Sequence, residues 1–351
     1  MPVSPALAEN IAANVVEMYA QAERILLARI AKYLAKGIEA PDWAERKLLE
    51  VQFLQAQTRR LIADLGNRAA AQVAADLIMA YNRGGASAVV DLAALLEISL
   101  EEASTALAGL PVVEVLVSET VTALNATGLR ILRATEDAYR SIVSETTAQV
   151  LLGTQTRREA AQEALNRFAK KGITGFVDKA GRGWNLTSYT EMAMRTGCGH
   201  AAIQGHTDRL LANGLDLVIG SDAPRECPLC APWEGKVMSI SGRTPGYPTL
   251  AEARAAGWQH CNCRHSVSLY QPGITRPHDE TADPEGYAAS QKLRYLERQT
   301  RQSKRLLSVA MDDAAQAKAQ KRVRDYQAKI RAHVTTTTAK RSPVRERLGP
   351  L

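Results

Sequence analysis

The chain has 351 residues, a net charge of +7, and a composition that is 46% hydrophobic but only 5% aromatic. That length accommodates two or three domains with substantial cores, and the Ala- and Leu-rich, aromatic-poor balance favours helix over sheet. No uninterrupted run of eighteen uncharged apolar residues occurs, which argues against a membrane span, and Met1–Glu9 lacks the basic-then-apolar order of a secretory leader.

The N-terminal third reads as long amphipathic helices. Ile11, Val15, Met18, Ala22, Ile25, Arg29 and Tyr33 keep helical spacing up to Gly37. Pro41-Asp42-Trp43-Ala44-Glu45 restarts a helix, with Asp42 as cap and Glu45 reaching back. Leu48, Val51, Leu54, Leu61 and Leu65 form its expected apolar face, and Asn82-Arg83-Gly84-Gly85 reads as a break. A further helix is predicted from Ser118 to about Leu152, carrying Val121, Leu124, Leu132, Tyr139 and Val143 on its apolar side. Thr156-Arg-Arg-Glu159 is a capping box opening a helix to about Lys171.

Composition changes near Gly172. Gly175, Gly181, Gly183 and Trp184 suggest a short hairpin, and Ser188-Tyr-Thr-Glu191 is expected to cap a helix ending at Asn213-Gly214. Three short strands follow, at 215–219, 236–240 and 266–270, with a small helix over 249–256 before Gly257. The sequence thus divides into a helical region 1–171, an α+β unit 172–272, a Pro/Asp/Thr-rich linker 273–285 and a basic helical tail 286–351, with one helix from about Gly286 to Val334. The expected class is α+β: mainly helical, with a small zinc-stapled antiparallel sheet in the centre.

Charge and cysteine are both unevenly placed. Residues 286–351 hold 16 Lys and Arg against 5 Asp and Glu, while the other 285 residues hold 28 against 32. An acidic partner is therefore expected at the tail. Arg294, Arg298, Arg301, Lys304 and Arg305 recur at intervals suited to one helix face, a stripe able to track phosphates or an acidic protein surface. A solvated helix face fits the same pattern.

Four of the five cysteines lie within residues 227–263. A disulfide framework spreads its cysteines through a smaller secreted chain, whereas a local cluster suits a metal in a reducing compartment. Cys227-Pro-Leu-Cys230 has the spacing by which two thiolates reach one ion from a single turn. The second pair comes from His260-Cys261-Asn262-Cys263-Arg264-His265. The first choice of ligands is Cys227, Cys230, His260 and Cys263, with Cys261 or His265 as alternates for the second pair. Four protein ligands leave no place for a substrate water, so the zinc is expected to be structural. Free buried cysteines, or a Cys227–Cys230 disulfide, are the competing readings. Cys198 stands apart as a packing residue.

Several of these motifs resemble the phage minor capsid protein 2 family, which is related to Mu F-type head morphogenesis proteins. The resemblance lies in Arg182-Gly-Trp184-Asn-Leu186-Thr-Ser188-Tyr189-Thr-Glu191-Met-Ala-Met-Arg195-Thr196, in Cys227-Pro-Leu-Cys230-Ala-Pro-Trp233-Glu-Gly235-Lys236-Val, and in Ser239-Ile-Ser241-Gly242. His260-Cys-Asn262-Cys263-Arg264-His265-Ser266 with Tyr270-Gln-Pro272-Gly273 continues it. The basic run from Gln291 to Arg305 closes it. The resemblance spans about residues 176–347, roughly half the chain. It implies a minor virion component inside the head near the portal, made in the host cytoplasm and acting in head assembly or DNA passage. It implies portal or major capsid protein as partner, with packaged DNA within reach, and neither a membrane nor a catalytic reaction. Where the family often has proline after the first histidine this chain has Cys261, which leaves the fourth ligand open.

Other constellations point elsewhere. Tyr189, Glu191 and Arg195 lie at helical spacing, and Glu191 would be the acid or base of an ADP-ribosyltransferase-like toxin delivered by a phage. A Glu191–Arg195 pair on one helix face is the simpler reading. Asp216, Asp222 and Glu226 surround the first strand and the Cys227 turn, where a second metal would make a zinc-containing nuclease or DNA-binding module, though turn roles suit them better. Walker, GxSxG and HExxH motifs do not occur.

Overall fold

The computed structural model describes residues 5–97, 99, 110–177, 183–223, 227–261, 263–275 and 283–348. Gly181, Arg182, Glu226, Asn262 and most of the linker fall outside the described residues. Among the described residues, eight α-helices run as α1 (Pro5–Ala35), α2 (Trp43–Leu96), α3 (Leu110–Leu151), α4 (Arg157–Lys171), α5 (Leu186–Ala212), α6 (Leu250–Ala255), α7 (Pro284–Ser308) and α8 (Asp313–Thr336). The strands are β1 (Thr174–Val177), β2 (Gly183–Asn185), β3 (Leu217–Gly220), β4 (Val237–Ser239) and β5 (Val267–Leu269). The class is as the sequence implied: mainly helical, with a small antiparallel sheet. Two compact units form, each from three stretches: Met1–Val15, Ala70–Ala123 and Glu191–Ala288 in the first, and Val16–Ala69, Leu124–Thr190 and Ala289–Leu351 in the second.

In the first unit β3 lies between β4 and β5, antiparallel to both. Val218 faces Met238 on one side and Leu269 on the other. All of β3 is buried, the pattern of a strand covered on both faces. Val218, Met238 and Val267 join Leu92 of α2, Leu210 of α5, Leu250 of α6 and Trp258 in one apolar core. Cys230 belongs to that core and is fully buried. The site is thus built into the sheet rather than hung from a loop.

The expected break at Gly84-Gly85 is absent, and α2 runs unbroken to Leu96. A Cβ on Gly84 would stand 1.8 Å from the carbonyl oxygen of Ala202, and one on Gly205 2.0 Å from that of Tyr81. These glycines let α2 and α5 approach backbone to backbone. The energetic gain of that contact outweighs the weak helix propensity of two glycines. Tyr81 also donates to Asp208 at 2.9 Å across the same pair.

Elsewhere the structure corrects other sequence expectations. Leu48 is 48% exposed while Lys47 is buried, its Nζ 2.9 Å from Glu50. Val51, Leu54 and Leu65 of the expected apolar face are buried, and Lys47 takes the place of Leu48 at its start, where Trp43 is also buried and donates to the Leu34 carbonyl at 2.9 Å. α3 begins at Leu110, well before Ser118. The Thr156/Glu159 capping box is present in full. α5 starts at Leu186, two residues before the expected cap, and the Ser188 amide donates to Asn185 Oδ1 at 2.9 Å. The tail is two helices, not one. Gln162 of α4 explains the break: its Nε2 donates to the Val309 carbonyl at 3.2 Å, and its Oε1 accepts from the Met311 amide at 2.6 Å. Asp312 then caps α8 by accepting from the Ala315 amide.

Among the described residues, Pro111–Leu151 of α3 is long and apolar enough by length and composition to cross a membrane. Glu114, Glu119, Arg130 and Arg133 interrupt its apolar runs.

Candidate metal centre

Two tight turns bring the donors together. The Cys230 and Ala231 amides both donate to the Cys227 carbonyl at 3.0 Å, closing the first turn. The Cys263 amide donates to the His260 carbonyl at 2.9 Å, closing the second. The first turn leads into β4 and the second into β5, the two strands that flank β3. Gly220, at the end of β3, permits the first turn to pack close: a Cβ there would lie 2.4 Å from the Trp233 carbonyl oxygen.

Cys227 Sγ is 2.9 Å from His260 Nε2, Cys230 Sγ is 3.5 Å from Cys263 Sγ, and Cys263 Sγ is 3.3 Å from His265 Nδ1. Cys227, Cys230 and His260 form one triad of candidate ligands and Cys230, Cys263 and His265 another, the donor atoms of each triad lying within 4.8 Å of one another. Cys230 is common to both. These five residues lie close enough together to hold a metal ion. Cys261, the other alternate, is exposed and has no place in either triad. All five cysteines are free, so a Cys227–Cys230 disulfide is not formed. Cys198 is buried on α5, and burial pushes its thiol up to about 12.

The electrostatics suit a cation. The Cys230 hydrogen bond lowers Cys263 to about 4 against the opposing effect of burial, and His265 helps. Cys230 is driven the other way, first by Cys263 and then by burial. Burial opposes ionisation of Cys227, but His260 and the backbone amides of Cys230 and Leu229 bring its thiol below the ordinary value. Burial alone would lower His265, yet Cys263 and Glu234 together raise it to about 9. Three sulfurs and two imidazoles with ring nitrogens facing sulfur are the soft and borderline donor set that zinc takes. The residues fit the ion.

Sequence reasoning missed the surroundings. Glu234 contacts His265 Nε2 through Oε1, which also accepts from the Ala223 amide at 3.0 Å. Burial raises Glu234 although His265 pulls it back. His200 of α5 meets the Gln259 carbonyl at 3.1 Å, and Arg254 of α6 donates to the Gln259 side chain at 2.9 Å. Gln259 has φ 55, left-handed backbone that non-glycine residues seldom adopt, directly before His260. No local pattern announces these contacts, because each joins residues from separate elements.

The remaining candidates are placed as follows. Glu191 is half-buried, 4.0 Å from Arg195, which lies 3.1 Å from Glu9. Asp216 accepts from Ser239 Oγ at 2.6 Å, the Ser241 amide at 2.8 Å and Thr244 Oγ1 at 2.7 Å. Burial opposes its ionisation, but these donors hold its carboxyl well below the usual range and commit it to the loop after β4. Asp222 is half-buried.

Burial divides the basic stripe on α7. Arg298 is exposed, and Arg294 pairs with Glu297 at 3.1 Å. Arg301 is buried and donates to the Arg345 carbonyl at 2.7 Å. Lys304 is half-buried, and Arg305 is buried with Nε donating to the Ala169 carbonyl at 2.9 Å. Arg301 and Arg305 are occupied inside the protein. Exposed basic residues continue instead along α8, at Lys318, Lys321, Arg324 and Arg331.

Long helices, a three-stranded antiparallel sheet and a Cys/His centre built into that sheet define a predominantly helical protein with a candidate metal centre. The model of the phage minor capsid protein 2 family matches residues 3–335, and the chain belongs to that family. The match reaches through the N-terminal helices, where the sequence offered no motif. No curated protein and no solved structure matches the chain. As a phage minor capsid protein it is a virion component associated with other virion components.

Proposed function

We propose that the protein is a structural minor component of the phage head interior, seated near the portal, that acts in head assembly and contacts packaged DNA. The family match over residues 3–335 is the observation that carries this reading. The portal or the major capsid protein is its protein partner. The cationic surface for DNA is supplied by Arg298 and by Lys318, Lys321, Arg324 and Arg331 of α8, all exposed. Such a surface binds phosphates without sequence choice and releases counterions on binding.

The Cys/His centre holds structural zinc in this reading. Cys227, Cys230 and Cys263 are three of its ligands and a histidine is the fourth. Bound there, zinc would cross-link the turns that lead into β4 and β5, whose pairing with β3 is otherwise only three residues long on each side. Four protein ligands make it a staple rather than a reaction centre.

Mass spectrometry and cryo-microscopy of purified virions test the assignment. The expected result is the chain in the virion, with density inside the head at the portal vertex. Absence from virions together with absence of portal contact in assembling heads would overturn it. For DNA contact, binding that weakens steeply with salt and is lost in the combined Lys318→Glu, Lys321→Glu and Arg324→Glu variant is expected; salt-independent or unaltered binding would remove α8 from the reading.

A further inference from the structure

The centre offers two histidines for one remaining ligand position. Their settings differ. His260 is half-buried, and its Nδ1 meets the carbonyl of the adjacent Cys261, at 2.8 Å. The side chain of His265 is 3% exposed, as is that of Glu234, whose Oε1 contacts its Nε2. Trp258, itself buried, packs beside the His265 ring with centroids 6.4 Å apart.

A carboxylate is costly to bury unless something inside the protein uses it. Here it fixes the imidazole. With Nε2–H donated to Glu234, Nδ1 is the ring nitrogen that faces Cys263 Sγ, 3.3 Å away. Without metal a proton on Nδ1 answers the Cys263 sulfur; a cation that displaces this proton meets the imidazole lone pair and the thiolate together. A carboxylate on the outer nitrogen of a ligating histidine fixes its tautomer and raises its basicity. The Ala223 amide, 3.0 Å from the same carboxylate oxygen, holds Glu234 in register.

We propose that His265, through Nδ1, is the fourth ligand beside Cys227, Cys230 and Cys263, and that Glu234 is the positioning residue that orients it. His260 then serves as a hydrogen-bond partner of the Cys227 sulfur outside the first coordination sphere. This assignment rests on the zinc reading above and replaces His260 as the first choice.

The full-length protein, stripped of metal and titrated with cobalt(II), provides the test, with zinc affinity measured by competition against a chromophoric chelator. Wild type is expected to give the spectrum of a tetrahedral three-thiolate, one-nitrogen site. His265→Cys is expected to convert it to a four-thiolate spectrum, a gain of signal that misfolding cannot imitate. His260→Cys is expected to leave the spectrum unchanged. Glu234→Ala is expected to weaken zinc binding by about 10–100-fold, with part of the loss restored in Glu234→Gln, whose amide oxygen still accepts from Nε2–H. Conversion by His260→Cys instead of His265→Cys would overturn the ligand assignment while leaving the zinc reading intact. Unchanged affinity in a folded Glu234→Ala protein would remove the positioning role. Absence of any thiolate-to-cobalt band in wild type would overturn the zinc reading itself, and the assignment with it.

Discussion

The two units tie distant stretches of chain together by different chemistry. In the second unit Glu23 of α1 is fully buried; one carboxylate oxygen accepts from the Ile173 amide at 3.1 Å and the other from Thr187 Oγ1 at 2.9 Å. Arg305 of α7 stands 4.0 Å from the same carboxylate and donates to the Ala169 carbonyl at 2.9 Å. This knot joins α1, α4, α5 and α7, and its charges answer each other. In the first unit the Cys/His centre gathers sulfurs and ring nitrogens that are acceptors when deprotonated. One knot sets opposite charges of the chain against each other; the other is a donor set suited to a cation. A self-contained polar knot yields a fixed increment of stability, whereas a metal knot makes stability depend on supply of the ion.

The largest expected effect follows at the centre. Removing metal with a strong chelator, or substituting Cys230→Ser, is expected to lower the thermal midpoint sharply and to abolish zinc in elemental analysis. Structural zinc in small domains binds with an apparent free energy of about 10–16 kcal/mol, part of which becomes folding energy. A wild-type protein that is metal-free and melts unchanged in chelator would erase the contrast between the two knots.

The Glu23 knot is expected to respond next most strongly. Glu23→Ala leaves Arg305 buried without its counter-charge and the Ile173 amide without an acceptor. Breaking a buried pair from one side costs about 3–5 kcal/mol, readable by urea denaturation. Combining Glu23→Leu with Arg305→Met should cost less than the two single changes added together, because no charge is then stranded. Strict additivity would show that Glu23 and Arg305 act separately and that the knot is not one device. A smaller loss is expected from Gly205→Ala in the first unit, where the new methyl meets the Tyr81 carbonyl; overpacking of this kind costs about 1–3 kcal/mol. An unchanged denaturation midpoint would mean that α2 and α5 have room to separate.

These knots were legible in the sequence to different degrees. The cysteine pair announced itself by spacing, since two thiolates on one turn serve few other purposes. The three strands around it were visible from short apolar runs between turn residues. Glu23 was invisible: it sits within a helical repeat, and its partners Ile173, Thr187 and Arg305 are more than a hundred residues away. Arg301 and Arg305 were misleading for the same reason, because spacing gives a helix face but not whether protein or solvent covers it. Gly84 read as a break because glycine's backbone freedom is a local property, while its use against Ala202 is a property of packing. Gln162, which divides the tail helix at Val309 and Met311, carries no local sign of that role at all.

The smallest effect concerns pH and asks whether the first unit responds to more than metal. His206 of α5 is fully buried, 4.0 Å from Asp91. Burial lowers it to about 4, and Asp91 offsets only part of that shift. The folded imidazole therefore stays neutral where the unfolded one, near 6.5, begins to protonate. The unfolded chain binds more protons in that interval, so stability is full above about pH 6.5 and falls as the pH drops towards about 4. At pH 5.5 the loss is expected to be about 1 kcal/mol. His206→Asn, which cannot protonate in this range, should flatten that part of the profile when both proteins are compared at saturating zinc. Saturation matters because protons also compete with metal for the cysteines and histidines of the centre, and that competition would steepen the profile of both proteins alike. If the variant keeps the wild-type slope between pH 6.5 and 5, the acid sensitivity belongs to the centre, and metal occupancy alone sets how the first unit responds to its surroundings.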